Sequence, residues 1–411
     1  MARSSGIPSD GPLQQRLSLA AERLRDSVAA VIDRVPTVAK KPAEFERVLK
    51  LDRSLSSRLL RAVRLHDPLA TLHRMPGLQG VRLLLTAAAR AGVDSLVIAQ
   101  AERALVELEG LVTSELGEWK DLNAAISGWL PDTREEFDMA NRQIAYRAMS
   151  NLKGITADVE QSVTLVYPSQ DNKDWLDRVG VGGICRMKRL RPGAPMGRLR
   201  GSVIVPPPGA TRPLMLDGRP IDQSTGAPLL KEFCSQPTPE FDVRIIGNLE
   251  HYLLRGDDVG LGSQVDLFLA DLLRNRYPAH RGASQNPATP GAVIDIPVKV
   301  LIVDVLVHRD VWVGVEPELR MYDTTGRGLA NPMDPSRDMD RIDVFETIQE
   351  MGTRLEGFRT KEVGRYVEMI RFICDQLGWD SNSFRGYRCR VEYPVHGTQV
   401  NLVFNPPPLK E

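Results

Sequence analysis

Residues 40–65 read KKPAEFERVLKLDRSLSSRLLRAVRL. Pro42 suits the first position of a helix, where a missing N–H costs no hydrogen bond. Ala43, Phe45, Val48 and Leu49 then recur at the spacing of one helix face. Leu51 falls in a tight turn. Asp52 can cap a second helix, because its carboxylate can accept from the first free backbone N–H groups. That helix, over residues 53–63, would bury Leu55, Leu59, Leu60 and Val63. It would leave Arg53, Ser54, Ser57, Arg58 and Arg61 outside. The stretch reads as a short helix, a turn and a basic second helix.

The flanks extend this helical texture over residues 13–154. Leu17, Ala20, Ala21, Leu24, Val28 and Val31 form an apolar stripe at three- and four-residue spacing. Asp67-Pro68 starts another helix, and Met75-Pro76-Gly77 interrupts it. Residues 81–91 form a helix closed by Gly92. Residues 94–119 form a long amphipathic one carrying Leu96, Ala99, Ala104, Leu105, Leu108, Leu111 and Val112, and a further helix is expected at 132–152.

Beyond Gly154 the texture changes. Strands are expected at 161–167, 202–205, 241–246, 296–307 and 311–321, and a hairpin at 387–393 and 398–404 turning on His396-Gly397. Helices are expected at 265–275, 340–352 and 360–378, the middle one from Ile342, Phe345, Ile348 and Met351 at three-residue spacing. Residues 191–240 are rich in proline, and 280–291 form a polar loop. The expected fold class is multidomain: an all-α N-terminal region holding a helix-turn-helix, then an α+β C-terminal region. Expected boundaries are 13–154, an irregular α+β region at 155–292, and an α+β domain at 293–405.

The segment LKLDRSLSSRLLRAV resembles the helix-turn-helix of bacterial transcription regulators over about 25 of 411 residues. Two positions depart from that pattern. Lys50 stands in the turn where glycine is favoured, and Ser56 where a buried β-branched residue is usual. The resemblance implies double-stranded DNA as partner. Arg53, Ser54 and Ser57 would reach base edges, and Arg58 and Arg61 would face phosphates, with Lys40 and Lys41 nearby. It also implies a homodimer, since such proteins span two half-sites by two-fold symmetry. Residues 13–35 and 94–119 are the candidate dimer surfaces.

Charge agrees in direction. The chain is neutral overall, yet residues 1–92 hold 16 Lys and Arg against 8 Asp and Glu, a net of +8 that leaves −8 on the rest. A second basic stretch, residues 178–200, has no acid and many glycines. It reads as a flexible loop in which Arg186, Lys188, Arg189 and Arg191 could contact phosphate. It has neither the spacing of a P-loop nor a dinucleotide fingerprint.

Other chemistry finds little support. The six histidines show no metal-ligand spacing, the four cysteines make no C-x-x-C pair, and no Ser sits in a G-x-S-x-G turn. His308 with Asp304 and Asp310 is the best acid–base trio the chain offers. Asp334, Asp338, Asp340 and Asp343 interleave with Arg337 and Arg341, as in a charge-paired loop ending in a helix cap. The opening MARSSGIPSDGPLQQ lacks the apolar centre of a secretory signal, and no apolar run is long enough to span a membrane. A cytoplasmic protein without cofactor or metal is expected. The expected function is a DNA-binding transcriptional regulator whose C-terminal half senses a ligand or oligomerises. A self-assembling scaffold with Pro-rich arms and an enzyme of unrecognised family are the rival readings.

Overall fold

The computed structural model describes residues 12–37, 41–201, 213–221, 226–246, 249–281 and 287–408. The chain divides into two compact units, Met1–Ala140 and Asn141–Glu411. The expected strand at 202–205 lies outside the described residues, as does Lys40.

The first unit is helical: α1 (Leu13–Arg34), α2 (Pro42–Leu49), α3 (Arg53–Ala62), α4 (Pro68–Arg74), α5 (Leu78–Arg90), α6 (Ser95–Glu115), α7 (Trp119–Trp129) and the start of α8 (Pro131–Lys153). The whole predicted stripe of α1 is buried, together with Ile32, and α1 packs against α6 and α4. Asp67 caps α4 as expected, accepting from the Ala70 N–H at 2.7 Å, and Pro68 opens the helix. On α6 the stripe is rotated slightly from expectation. Val97, Ile98 and Ala101 are buried, whereas Leu96 is 73% exposed. The unit boundary falls within the span of α8, not at the expected 154.

The second unit is built on sheets: β1 (Ile155–Pro168), β2 (Trp175–Arg189), β3 (Gly197–Gly201), β4 (Phe241–Ile246), β5 (Leu249–Leu254), β6 (Val265–Pro278), β7 (Gly291–Val293), β8 (Val298–His308), β9 (Glu318–Asp323), β10 (Ile348–Gly352), α9 (Tyr366–Leu377), β11 (Phe384–Glu392) and β12 (Thr398–Val403). Six strands form one sheet in the order β10-β11-β8-β1-β2-β6. Its central pair, β1 and β8, is parallel, and the other neighbours are antiparallel. One face carries α9, whose Tyr366, Ile370 and Ile373 share a core with Val159, Val163, Val181 and Ile302. The other face carries the three-stranded sheet β7-β12-β9, where Val400, Leu402 and Phe404 meet Leu301, Val303 and Val305. The sheet takes strands from both sides of residue 292, so the expected border between residues 155–292 and 293–405 does not separate two domains.

Four expectations about elements are corrected. Residues 265–275 are strand, not helix. Their Leu and Ala content favours a helix, but β6 pairs with β2 along its length. Bridges from Leu214 and Leu229 cover its outer edge, which makes it fully buried from Leu267 to Leu272. Residues 340–352 are not a helix either. A 3-10 turn (Pro335–Asp340) gives way to extended chain that bridges β9 at Tyr322 and Arg341. Ile342, Val344 and Ile348 then pack into the core between the sheets. In the third case, the strand expected at 311–321 shrinks to β9. Residues before it form a turn clamped by Arg385, whose guanidinium donates to the carbonyls of His308, Arg309, Val311 and Trp312. Finally, β11 and β12 are not a hairpin. The chain leaves the large sheet at Tyr393, at φ 45°, and β12 joins the smaller one. α9 is also shorter than its expected 360–378, though Gly378 closes it at φ 66° as foreseen.

Candidate nucleic-acid interface

α2 and α3 are joined by a three-residue turn, Lys50-Leu51-Asp52. Phe45 and Leu49 anchor α2 in the helical core, and Leu51 is buried in the turn. Ala43, expected on the same apolar face, is exposed. Lys50 adopts φ 54°, ψ 36°, the left-handed conformation that glycine takes most easily. This explains why a glycine is favoured there and shows that lysine is held in the same geometry. Asp52 caps α3, accepting from the Ser54 N–H at 2.7 Å and the Leu55 N–H at 3.3 Å. The Ser54 hydroxyl, and then these N–H groups, hold the Asp52 carboxyl below the usual carboxylate range.

α3 has two clearly different sides. Ser56, Leu59, Leu60 and Ala62 are buried. Leu55 and Val63, expected in the core, are only half-buried. Ser56 thus occupies the inward position that the sequence pattern reserves for an apolar residue, and its hydroxyl is buried without a hydrogen-bond partner among the described residues. Leu55 beside it packs closely on α5, where a Cβ on Gly80 would stand 3.1 Å from Leu55 Cδ1.

The outward side carries the predicted residues. Arg53, Ser54, Arg58 and Arg61 are exposed and Ser57 is half-buried. At about 100° per residue they fall within a sector of about 140°, opposite the buried one. Arg53, Arg58 and Arg61 make no ion pair among the described residues. Elsewhere in the unit, Arg16, Arg23, Arg25, Arg74 and Arg82 are each paired with an acid. Lys41 is exposed at the start of α2. Two more cations, Arg47 of α2 and Lys50 of the turn, are exposed. The sequence pattern did not single them out as contacts, although both fall within residues 40–65.

The second predicted group belongs to the other unit. Residues 178–189 are not a loop but part of β2, in the middle of the sheet. Its glycines answer to packing. A Cβ on Gly183 would lie 2.5 Å from the Phe268 ring. Arg186 takes φ 54° where β2 slips register against β6, and it pairs with Asp158 at 2.6 Å. Arg189 is buried, donating to the carbonyls of Ala194 and Leu254. Arg191 donates to the Leu152 carbonyl, and Lys188 is half-buried. These side chains do not converge on one free surface as those of α3 do.

The acid–base trio is not assembled. Asp304 is fully buried, held by Nη2 and Nε of Arg388 at 2.7 and 2.8 Å and by the Tyr366 hydroxyl at 2.6 Å. Burial pushes its carboxyl up against the pull of Arg388. His308 lies four residues along β8, roughly 13 Å away, with Nδ1 accepting from the Asp310 N–H at 3.3 Å. The aspartate cluster is the charge-paired loop expected: Asp340 binds Arg337 and Arg327, and Asp334 caps the 3-10 turn through the Ser336 N–H. No family model, curated protein or solved structure matches this chain. Among the described residues no helix is long and apolar enough to cross a membrane.

Proposed function

We propose that this chain is a DNA-binding transcriptional regulator, with α2 and α3 acting as a helix-turn-helix. The observation that carries the reading is the outward face of α3: three exposed arginines without acidic partners among the described residues, in a unit where five other arginines are paired. Unpaired guanidinium groups on a helix about 15 Å long suit a major groove about 12 Å wide. Three further features support it: the three-residue turn, its left-handed Lys50, and the capped start of α3. The positive balance of residues 1–92 adds the long-range attraction that a polyanion would meet. On this reading the protein works as a homodimer in the cytoplasm. The sheet-rich unit, which has cores of its own, is the part left for sensing or oligomerisation.

Binding of the full chain to labelled genomic duplexes tests this by fluorescence anisotropy at about 50 and about 200 mM salt. Affinity should fall steeply between the two. Arg61→Ala should weaken binding to every fragment and reduce the slope of log affinity against log salt by about one. Absence of binding at the lower salt would reject the reading.

A further inference from the structure

We infer that the α3 face selects guanine, read chiefly by Arg53. This rests on the DNA-binding reading and says which bases that surface accepts. The outward side chains of α3 offer donors: the guanidinium groups of Arg53, Arg58 and Arg61 and the hydroxyls of Ser54 and Ser57. In the major groove guanine shows two adjacent acceptors, N7 and O6, which match the two parallel N–H bonds of a guanidinium. Adenine pairs an acceptor with a donor at N6, and cytosine shows the N4 donor, so a guanidinium, which carries donors only, meets both with an unmatched donor. The amide side chains that fit adenine are missing from this face: no Asn or Gln occurs between Lys41 and Leu78.

The carboxylate that caps α3 does not alter this. Asp52 could in principle accept from cytosine N4. Its Oδ1 instead accepts from the N–H groups of Ser54 and Leu55, as the cap of α3 requires. The arginine at the start of the helix is therefore the chief reader. Arg53 stands at the first position of α3, the end of such a helix that reaches base edges. Arg58 and Arg61 lie further along it and are left for the backbone. Double-stranded RNA is the poorer match, because its major groove is too deep and narrow to admit a helix.

Selection of bound duplexes from a random DNA library by the full-length protein, followed by sequencing, is the test. The recovered site should hold recurrent guanines. Replacing them with 7-deazaguanine, which keeps the base pair but removes N7, should weaken binding about tenfold or more. Arg53→Lys keeps the charge and loses the fork. It should lose the preference for the natural base over the deaza analogue, a ratio that a general loss of affinity would leave unchanged. Unchanged circular dichroism would show that the variant folds. Recovery of A/T sites, or equal affinity for the deaza duplex, would overturn guanine selection and leave DNA binding standing. Retention of no duplex at about 50 mM salt, or equal binding of double-stranded RNA, would overturn both.

Discussion

At Lys50 and at Asp304, single residues carry costs that their surroundings must meet. Lys50 holds a left-handed backbone in the turn between α2 and α3. Lys50→Val should destabilise the helical unit by about 1–2 kcal/mol, since a branched Cβ crowds the carbonyl there. Lys50→Gly should be neutral or slightly stabilising. Urea midpoints followed by helix signal compare the two, and equal midpoints would show that the turn tolerates other conformations. Asp304 is a charge buried to 0% exposure whose partners are Arg388 and Tyr366. Arg388→Met leaves it unpaired and should cost about 3–5 kcal/mol in the sheet-rich unit. Adding Asp304→Leu should recover much of that loss, because a matched apolar pair removes the orphan charge. A double variant no better than the single would assign the cost to packing instead. The sequence showed Asp304 as a possible acid near His308. That Arg388, 84 residues away, would take it up was not readable from spacing.

Elements show where local pattern suffices and where it misleads. α1, α3 and α4 come from caps and stripes within a few residues of one another, and the structure has them at the expected places. β2 and β6 do not. The glycines of β2 read as loop flexibility, but Gly183 has no Cβ because Phe268 of the neighbouring strand lies over it. Gly183→Ala should therefore cost about 1–3 kcal/mol through overpacking. Gly262→Ala, with nothing within 4 Å of its Cβ, should change stability by less than about 0.5 kcal/mol. Thermal melts of both would settle the point, and equal melts would return β2 to the status of a loose segment. β6 shows the reverse error. Its run of Leu and Ala suits a helix, and only pairing with β2 and cover from Leu214 and Leu229 make it a strand.

Across the whole molecule, three half-buried histidines link stability to pH. Burial holds His73, His308 and His396 below the ordinary imidazole value of 6.5. At His396 the Lys153 ammonium adds to this, with Nζ 3.0 Å from Nε2. The folded state then binds fewer protons than the unfolded one. The stabilisation is complete above about pH 6.5 and is lost as pH falls towards the folded values. Carboxylates such as Asp158, held down by Lys299 and Arg186 against burial, lose theirs only below about pH 4, so the two windows separate. Urea midpoints should be lower at about pH 5.5 than at about pH 7.5, and His396→Gln should flatten part of that difference. Identical midpoints at both pH values would mean that the imidazoles are not desolvated. The sequence by itself determined the helical unit, its caps, and the cationic face of α3, because a helix face and its cap are decided among residues three or four apart. It also marked a change to mixed structure after Gly154. Only the tertiary structure decided that β1 and β8 run parallel, that β11 and β12 part into different sheets, and that Arg385 and Arg388 clamp distant backbone and charge. Those outcomes depend on which remote strand buries which face, and neither period nor propensity within one segment carries that information.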